Sequence, residues 1–117
     1  MKVSFDFDET LDNENIQKYA LKLIKDGFDV HIVTSRPSFM LNNVDLYKIA
    51  KKLSIKDENI HFTDYIPKYK FFEKNEDFIF HIDNDHAEIF EINFYTKTKG
   101  ILFEEFWEEN CNKLLKP

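Results

Sequence analysis

The sequence predicts an α/β fold in which a mainly parallel five-stranded sheet lies between two layers of helices, as a single domain spanning residues 1–117. Three observations support this prediction. A chain of 117 residues suits one compact core. Its 43% hydrophobic and 32% charged residues have a globular balance. Apolar runs of strand length alternate five times with segments of helical periodicity, which favours parallel strands joined by helices.

The elements follow one another in a regular order. The five predicted strands cover residues 2–7, 28–34, 59–63, 78–83 and 100–103. The helices between and after them cover residues 13–27, 43–55, a short segment from Pro67, residues 86–95 and residues 104–115. No internal repeat, low-complexity tract or linker interrupts this order.

Apolar spacing predicts which helix faces are buried. In the first helix the predicted buried face comprises Ile16, Tyr19, Ala20, Leu23 and Ile24, and Gly27 ends the helix. In the second helix it comprises Val44, Tyr47, Ile49, Ala50 and Leu53. In the last segment Phe103, Phe106 and Trp107 form a predicted core stripe.

Composition excludes several classes of function. A net charge of −6 argues against a long nucleic-acid partner, and two glycines are too few for a glycine-rich phosphate loop. The chain has one cysteine, Cys111, so no internal disulfide can form. The N-terminus lacks the apolar stretch of a signal peptide, and no run has the length of a membrane span. We therefore expect a cytoplasmic protein without a membrane partner.

Polar side chains cluster where the predicted strands end, and parallel topology brings those ends to one edge of the sheet. They are Asp6 and Asp8 after the first strand, Thr34, Ser35 and Arg36 after the second, Asp83, Asn84 and Asp85 after the fourth, and Lys68 and Lys70 at the start of the third helix. Carboxylates from neighbouring strands are the ligands that Mg²⁺ prefers, and hydroxyl and ammonium groups suit phosphoryl oxygens. A carboxylate at such a site can attack phosphorus while a second one moves protons.

Four segments in this order resemble the motifs of the haloacid dehalogenase-like (HAD) phosphohydrolase superfamily. They are "VSFDFDETL" with Asp6, Asp8 and Thr10, "HIVTSR" with Thr34, a lysine before the fourth strand, and "FIFHIDND" at that strand's end. The resemblance spans about residues 2–90 and implies a Rossmann-like three-layer α/β/α sandwich. It implies that Asp6 is the nucleophile and a Mg²⁺ ligand, and that Asp8 is the general acid/base and lends its main-chain carbonyl to the metal. It further implies that Thr34, with Ser35 beside it, and the lysine hold phosphate, and that Asp83 completes the metal site.

Three positions leave alternatives open. Asn84 separates Asp83 from Asp85 where HAD relatives often have adjacent acids, so Asp85 either supports the metal site or caps the next helix. Lys68 is favoured over Lys70 because Phe71 and Phe72 follow it at i+3 and i+4, which places its stem over the core. Arg36, the only arginine, either binds a second anionic group of the substrate or pairs with a nearby acid.

HAD relatives often carry a cap domain inserted between these motifs, but the intervals from Thr10 to Thr34 and from Thr34 to Lys68 each hold too few residues for one. The sequence therefore predicts a capless, open site, which a second subunit can cover by oligomerisation. The favoured function is Mg²⁺-dependent hydrolysis of a phosphorylated small molecule such as a nucleotide. The alternatives are a phosphatase acting on a macromolecule such as a nucleic-acid end, a receiver-like phosphoacceptor domain, and a non-catalytic phosphate- or metal-binding module.

Overall fold

The computed structural model describes residues 1–39 and 41–116 and confirms the predicted α/β architecture. The strands are β1 (Lys2–Phe5), β2 (Asp29–Thr34), β3 (Ile60–Phe62), β4 (Phe78–Asp83) and β5 (Lys99–Leu102). The helices are α1 (Glu14–Lys25), α2 (Val44–Lys52), α3 (Tyr69–Lys74), α4 (His86–Tyr95) and α5 (Trp107–Leu115). Single helical turns cover Leu41–Asn43 and Asp57–Asn59.

The five strands form one parallel sheet in the order β3-β2-β1-β4-β5. The chain winds from β1 outward to β3, then crosses back to β4 on the other side of β1. Strand order therefore reverses between β1 and β4, and the carboxyl ends of these two strands border the crevice where sheets of this type bind ligands.

Helices cover both faces of the sheet, which makes three layers. One face carries the larger apolar cluster, to which α1, α2 and α5 contribute Ile16, Leu46 and Cys111 among others. The opposite face carries a smaller cluster of Val33, Phe72, Phe78 and Ile92, in which the aromatic ring of Phe72 joins α3 to the sheet and to α4. Because α3 is only six residues long, Phe72 is its main anchor.

The ends of α1 follow from the residues that flank it. The side-chain oxygen of Asn13 accepts a hydrogen bond from the Asn15 N–H, which caps the first turn. At the other end Gly27 adopts a φ of 92°, and the Phe28 N–H donates to the Leu23 carbonyl. Glycine tolerates this left-handed conformation, so it ends the helix as predicted.

Two predicted core faces are corrected. In α2 the buried residues are Leu46 and Ala50, followed by Leu53, whereas Val44 and Tyr47 are exposed. Leu46, Ala50 and Leu53 follow the i, i+4, i+7 spacing of one helix face, so Val44 lies on the opposite, solvent side while Asp45 reaches Arg36. Phe106 is 60% exposed and its φ is 69°, so α5 begins at Trp107, three residues later than predicted, and only Phe103 and Trp107 of the predicted stripe pack against the core.

The described chain between β1 and β2 forms only a compact turn (Phe7–Leu11) and α1. Between β2 and β3 it forms two single helical turns and α2. In the described residues no helix is both long enough and apolar enough to cross a membrane.

Truncating Phe72, the anchor of α3, should destabilise the folded protein. Phe72 has no exposed surface, so Phe72→Ala should lower the free energy of unfolding by about 3–5 kcal/mol because it leaves a cavity under α3. Phe90→Ala, at a 65% exposed position of α4, should change it by less than about 0.5 kcal/mol. Chemical denaturation of both variants measures the difference, and equal losses would mean that Phe72 does not hold α3.

Candidate active site

A cleft of about 340 Å³ opens at the carboxyl ends of β1 and β4. Most of its lining is negatively charged. Six carboxylate residues line it, namely Asp6, Asp8, Glu9, Asp83, Asp85 and Glu88, and Lys68 is the only basic residue among the described residues that line it. We call this region the acidic cleft.

Lys68 lies between two of these carboxylates. Its Nζ donates to Asp6 Oδ1 at 2.9 Å and to Asp83 Oδ2 at 2.5 Å, and its side chain is only 3% exposed. Lys68 precedes α3, and its main-chain N–H donates to Glu88 Oε2 on α4 at 3.2 Å. A buried ammonium in direct contact with two carboxylates is charge-compensated, which a buried lysine requires.

The sheet places Asp6 and Asp83 beside each other. Phe5 of β1 is in register with Ile82 of β4, and the Asp6 N–H donates to the Ile82 carbonyl at 2.8 Å. The carbonyl of Asp6 in turn accepts the Leu11 N–H at 3.1 Å, which folds the following turn back toward the sheet. The two carboxylates therefore come from adjacent strands, as the parallel topology predicts.

Asp83 is oriented by a buried relay of side chains. Asp83 Oδ2 lies 2.9 Å from His81 Nε2, and His81 Nδ1 lies 2.8 Å from Ser4 Oγ. Complete burial lowers the pKa of His81, so its ring is neutral. The carboxylate can only accept, so His81 Nε2 carries the proton and Nδ1 accepts the Ser4 hydroxyl. The relay fixes one tautomer and one orientation of the Asp83 carboxylate.

Burial and the charges of the neighbouring groups shift the pKa values of Asp6, Asp83 and Lys68. Burial, with a smaller contribution from the neighbouring Asp83 charge, raises the pKa of Asp6 to about 7 against the opposing effect of Lys68. Burial also acts to raise the pKa of Asp83, but hydrogen bonding by His81 and the charge of Lys68 outweigh it and hold the pKa below its usual range. Burial acts to lower the pKa of Lys68, but Asp6 and Asp83 hold it above its usual value. One positive charge is thus shared by two carboxylates, and the negative charge of Asp6 is not fully neutralised.

Asp8 pairs with Arg36 in a planar, two-point contact. Arg36 Nη2 and Nε lie 2.7 and 3.0 Å from the two oxygens of Asp8. The same guanidinium makes a second two-point contact with Asp45, at 2.8 and 3.1 Å, and lies over the Phe7 ring. These contacts hold the pKa of Asp45 below its usual range and that of Arg36 above its own. Arg36 therefore orients Asp8 at the mouth of the acidic cleft, and Asp45 orients Arg36.

The remaining predicted site residues differ in their placement. Ser35 lines the acidic cleft, whereas Thr34 is buried beside it, where its Oγ1 accepts the Arg36 N–H at 3.3 Å. Lys70 is exposed and lines a neighbouring groove instead of the cleft. Asn84 lines the cleft and donates to Glu9 Oε2 at 2.9 Å. Asp85 caps α4 by accepting the N–H groups of Ala87 and Glu88, one of the two roles left open above.

Sequence reasoning missed several residues of the site. Glu88 holds the main chain at Lys68, His81 orients Asp83, and Asp45 orients Arg36. His81 lies two residues before Asp83 in a strand, and side chains two residues apart lie on the same face of a sheet. The sequence could therefore have predicted that His81 lies beside Asp83. Glu88 and Asp45 carry no such signal because their contacts depend on how the helices pack.

The donor set fits Mg²⁺ in its chemistry. Among the described residues no three His, Cys, Asp or Glu side chains form a ready cluster for a metal ion. Mg²⁺, however, commonly uses only one or two carboxylates and completes its shell with waters and substrate phosphate. The Asp6 and Asp83 carboxylates, with the Asp8 main-chain carbonyl, provide hard oxygen donors in a cleft with an excess of negative charge.

The chain matches no protein-family model and no curated protein.

The charge of Asp6 should cost stability. Its pKa is about 7 in the fold against 3.8 in the unfolded chain, so the folded state binds the extra proton between these values. Folding is then progressively disfavoured as the pH rises from about 4 to about 7. Without divalent cations, Asp6→Asn should be as stable as the wild type near pH 4 and more stable above pH 7, by up to about 4 kcal/mol.

Denaturation of both proteins across this pH range measures the difference. Asp26→Asn, which removes an exposed carboxylate outside the cleft, is the matched control and should show no such pH dependence. A pH-independent difference for Asp6→Asn, or a loss of stability above pH 7, would contradict the electrostatic description of the cleft.

Proposed function

We propose that this protein is a Mg²⁺-dependent phosphomonoester hydrolase that works through an aspartyl-phosphate on Asp6, with a nucleotide or another phosphorylated metabolite as substrate. The observation that carries the proposal is the placement of the Asp6 and Asp83 carboxylates on the ammonium of Lys68, inside an open cleft at the carboxyl edge of a parallel sheet. The resemblance to HAD phosphohydrolases assigns the same residues to the same chemistry and adds support from the order of the motifs.

Asp6, Asp83 and the carbonyl of Asp8 would hold the Mg²⁺. When bound, the ion supplies positive charge that offsets the repulsion between the phosphate and the Asp6 carboxylate. Lys68 supplies a second positive charge, from an ammonium that can donate to a phosphoryl oxygen. The buried relay through His81 keeps Asp83 ionised and fixed, so its carboxylate needs no reorganisation when the substrate arrives.

The proposed reaction has two balanced steps. In the first, a carboxylate oxygen of Asp6 attacks phosphorus, the ester P–O bond breaks, and the leaving oxygen takes its electron pair and a proton from Asp8. In the second, Asp8 takes a proton from a water molecule, whose oxygen attacks the same phosphorus. The P–O bond to Asp6 then breaks, inorganic phosphate leaves, and both aspartates return to their starting states.

Asp8 is suited to the proton-transfer role because it lines the cleft while its carboxylate is roughly half exposed. The two-point contact with Arg36 holds Asp8 at the cleft. Asp8 must leave that contact and take up a proton from solvent before it can protonate the leaving oxygen. Arg36 thus acts on the reaction by positioning Asp8.

Strand order argues against the receiver-like alternative. Receiver domains have the order 2-1-3-4-5, whereas this sheet has β3 at its edge and β1 at its centre. In a receiver the phosphorylated aspartate ends the third strand. Here the nearest aspartate after β3 is Asp64, which is exposed and does not line the acidic cleft.

The proposal predicts phosphate release that depends on Mg²⁺ and on Asp6. With a panel of phosphomonoesters, the wild type should release inorganic phosphate in Mg²⁺ and stop in EDTA. Asp6→Asn should lower kcat on the order of a thousandfold or more, since it removes the nucleophile. Asp26→Asn should keep the wild-type rate. No release from any substrate class, or near-wild-type turnover by Asp6→Asn, would overturn the proposal.

Asp8→Asn should separate the two steps. An ester with a good leaving group, such as an aryl phosphate, needs little protonation in the first step, whereas breakdown of the intermediate still needs a base. The variant should therefore release about one equivalent of aryl alcohol per enzyme in a burst and then turn over about 10²–10⁴-fold more slowly than the wild type. Stopped-flow absorbance measures the burst, and a slow rate without a burst would place Asp8 in the first step alone.

A further inference from the structure

A second concavity adjoins the acidic cleft. It has a volume of about 640 Å³ and lies between the end of β3 and α3. Apolar rings and chains form much of its wall, contributed by Phe62, Tyr65, Ile66 and Phe71, and the rest of the lining comprises Lys70, Lys74, Thr63, Pro67 and Asn75. We call this concavity the side groove.

The acidic cleft and the side groove share a rim. Tyr65 and Ile66 line both, and they are 72% and 54% exposed. A molecule whose phosphoryl group lies against Asp6 can therefore extend over these two side chains into the side groove. Continuity of this kind fits a leaving group that occupies the groove while its ester phosphate occupies the cleft.

The shared rim is held in an unfavourable backbone conformation. Asp64 and Tyr65 have φ values of 52° and 63°, which non-glycine residues adopt at a cost of about 1 kcal/mol or more each. The Tyr65 N–H donates to the Ser35 carbonyl at 2.8 Å, and the Ile66 N–H donates to the Thr63 carbonyl at 3.0 Å. The first bond ties the rim to the loop after β2 and the second closes the turn after β3, so an aromatic and an aliphatic side chain face solvent instead of being buried.

The charge of the side groove contrasts with that of the cleft. Lys70 and Lys74 are exposed and stand four residues apart on α3, on one side of the helix. Among the described residues no carboxylate lies within ion-pairing distance of either ammonium. In a chain of net charge −6, two unpaired lysines beside a ring-lined groove are complementary to an aromatic compound that carries an anionic group.

We propose that the side groove binds the leaving group of the substrate, and that this leaving group is a nucleoside carrying a second phosphate. Its base lies against Tyr65 and Phe71, and the second phosphate lies near Lys70 and Lys74. Aromatic side chains bind bases by stacking without regard to sequence, and the ammonium groups favour a bisphosphate over a monophosphate. This assignment rests on the proposed function, because it is the cleft that supplies the site for the cleaved phosphate.

Binding can be measured without turnover by isothermal titration calorimetry in Mg²⁺, with Asp6→Asn as the parent protein. The probes are adenosine 5′-monophosphate and adenosine 3′,5′-bisphosphate. The parent should bind the bisphosphate at least about tenfold more tightly. Lys70→Ala/Lys74→Ala should lose that preference, whereas Lys70→Arg/Lys74→Arg should keep it. Lys18→Ala/Lys22→Ala, which removes two exposed charges at the same spacing from α1, should also keep it.

Tyr65 tests the contact with the base. Tyr65→Ala should weaken binding of both nucleotides by about tenfold, and Tyr65→Phe should bind both like the parent, because stacking needs the ring and not the hydroxyl. Thermal unfolding of every variant checks that the fold is kept. The lysine and tyrosine variants change exposed side chains, so their melting temperatures should stay near that of the parent.

Three results would overturn the inference: equal affinity for the two nucleotides, a preference that survives Lys70→Ala/Lys74→Ala, or affinity that keeps rising with the length of a 5′-phosphorylated oligonucleotide. The last result would assign the groove to a nucleic-acid end. Failure of the proposed function is distinct, since it appears as absence of Mg²⁺-dependent phosphate release by the wild type, whatever the calorimetry shows.

Discussion

The contact of one buried ammonium with two buried carboxylates is the constraint on which the rest of this structure depends. Lys68 Nζ lies within hydrogen-bond distance of both Asp6 and Asp83, and none of the three side chains has appreciable exposure. Removing such charges from water costs several kcal/mol per ion unless partners replace the lost solvation. The three groups are partners to one another, but two negative charges face one positive charge, so a need for cationic charge remains in the cleft.

The fold supports this contact from several directions. Adjacent β1 and β4 bring Asp6 and Asp83 to the same edge of the sheet, and α3 begins immediately after Lys68. Phe72 packs α3 onto the sheet face opposite α1, so apolar packing on that face determines where the ammonium lies. His81 then selects the orientation of Asp83. A short helix, one aromatic anchor and one histidine thus hold a charged centre whose unpaired members would be costly to bury.

Much of this arrangement could be predicted from the sequence because it follows from topology. Alternating strands and helices predict a parallel sheet, and a parallel sheet places Asp6, Asp8, Ser35 and Asp83 at one edge. The spacing of Lys68 relative to Phe72 predicts that its stem lies over the core. Asp85 directly precedes a predicted helix, and capping of that helix, one of its two predicted roles, is confirmed.

The rest depends on packing that a single sequence does not encode locally. The apolar residues of α2 allow two overlapping faces, and the contact between Arg36 and Asp45 selects the one with Leu46 inside. Asp64, Tyr65 and Phe106 adopt left-handed conformations without glycine, against their intrinsic preference.

The most direct test of the central claim is borohydride reduction of Asp8→Asn mixed with Mg²⁺ and an aryl phosphate, followed by peptide mass spectrometry. Homoserine at position 6 is the predicted result, because borohydride reduces an acyl phosphate to an alcohol, and an unmodified Asp6 in a protein that still releases phosphate would contradict the account.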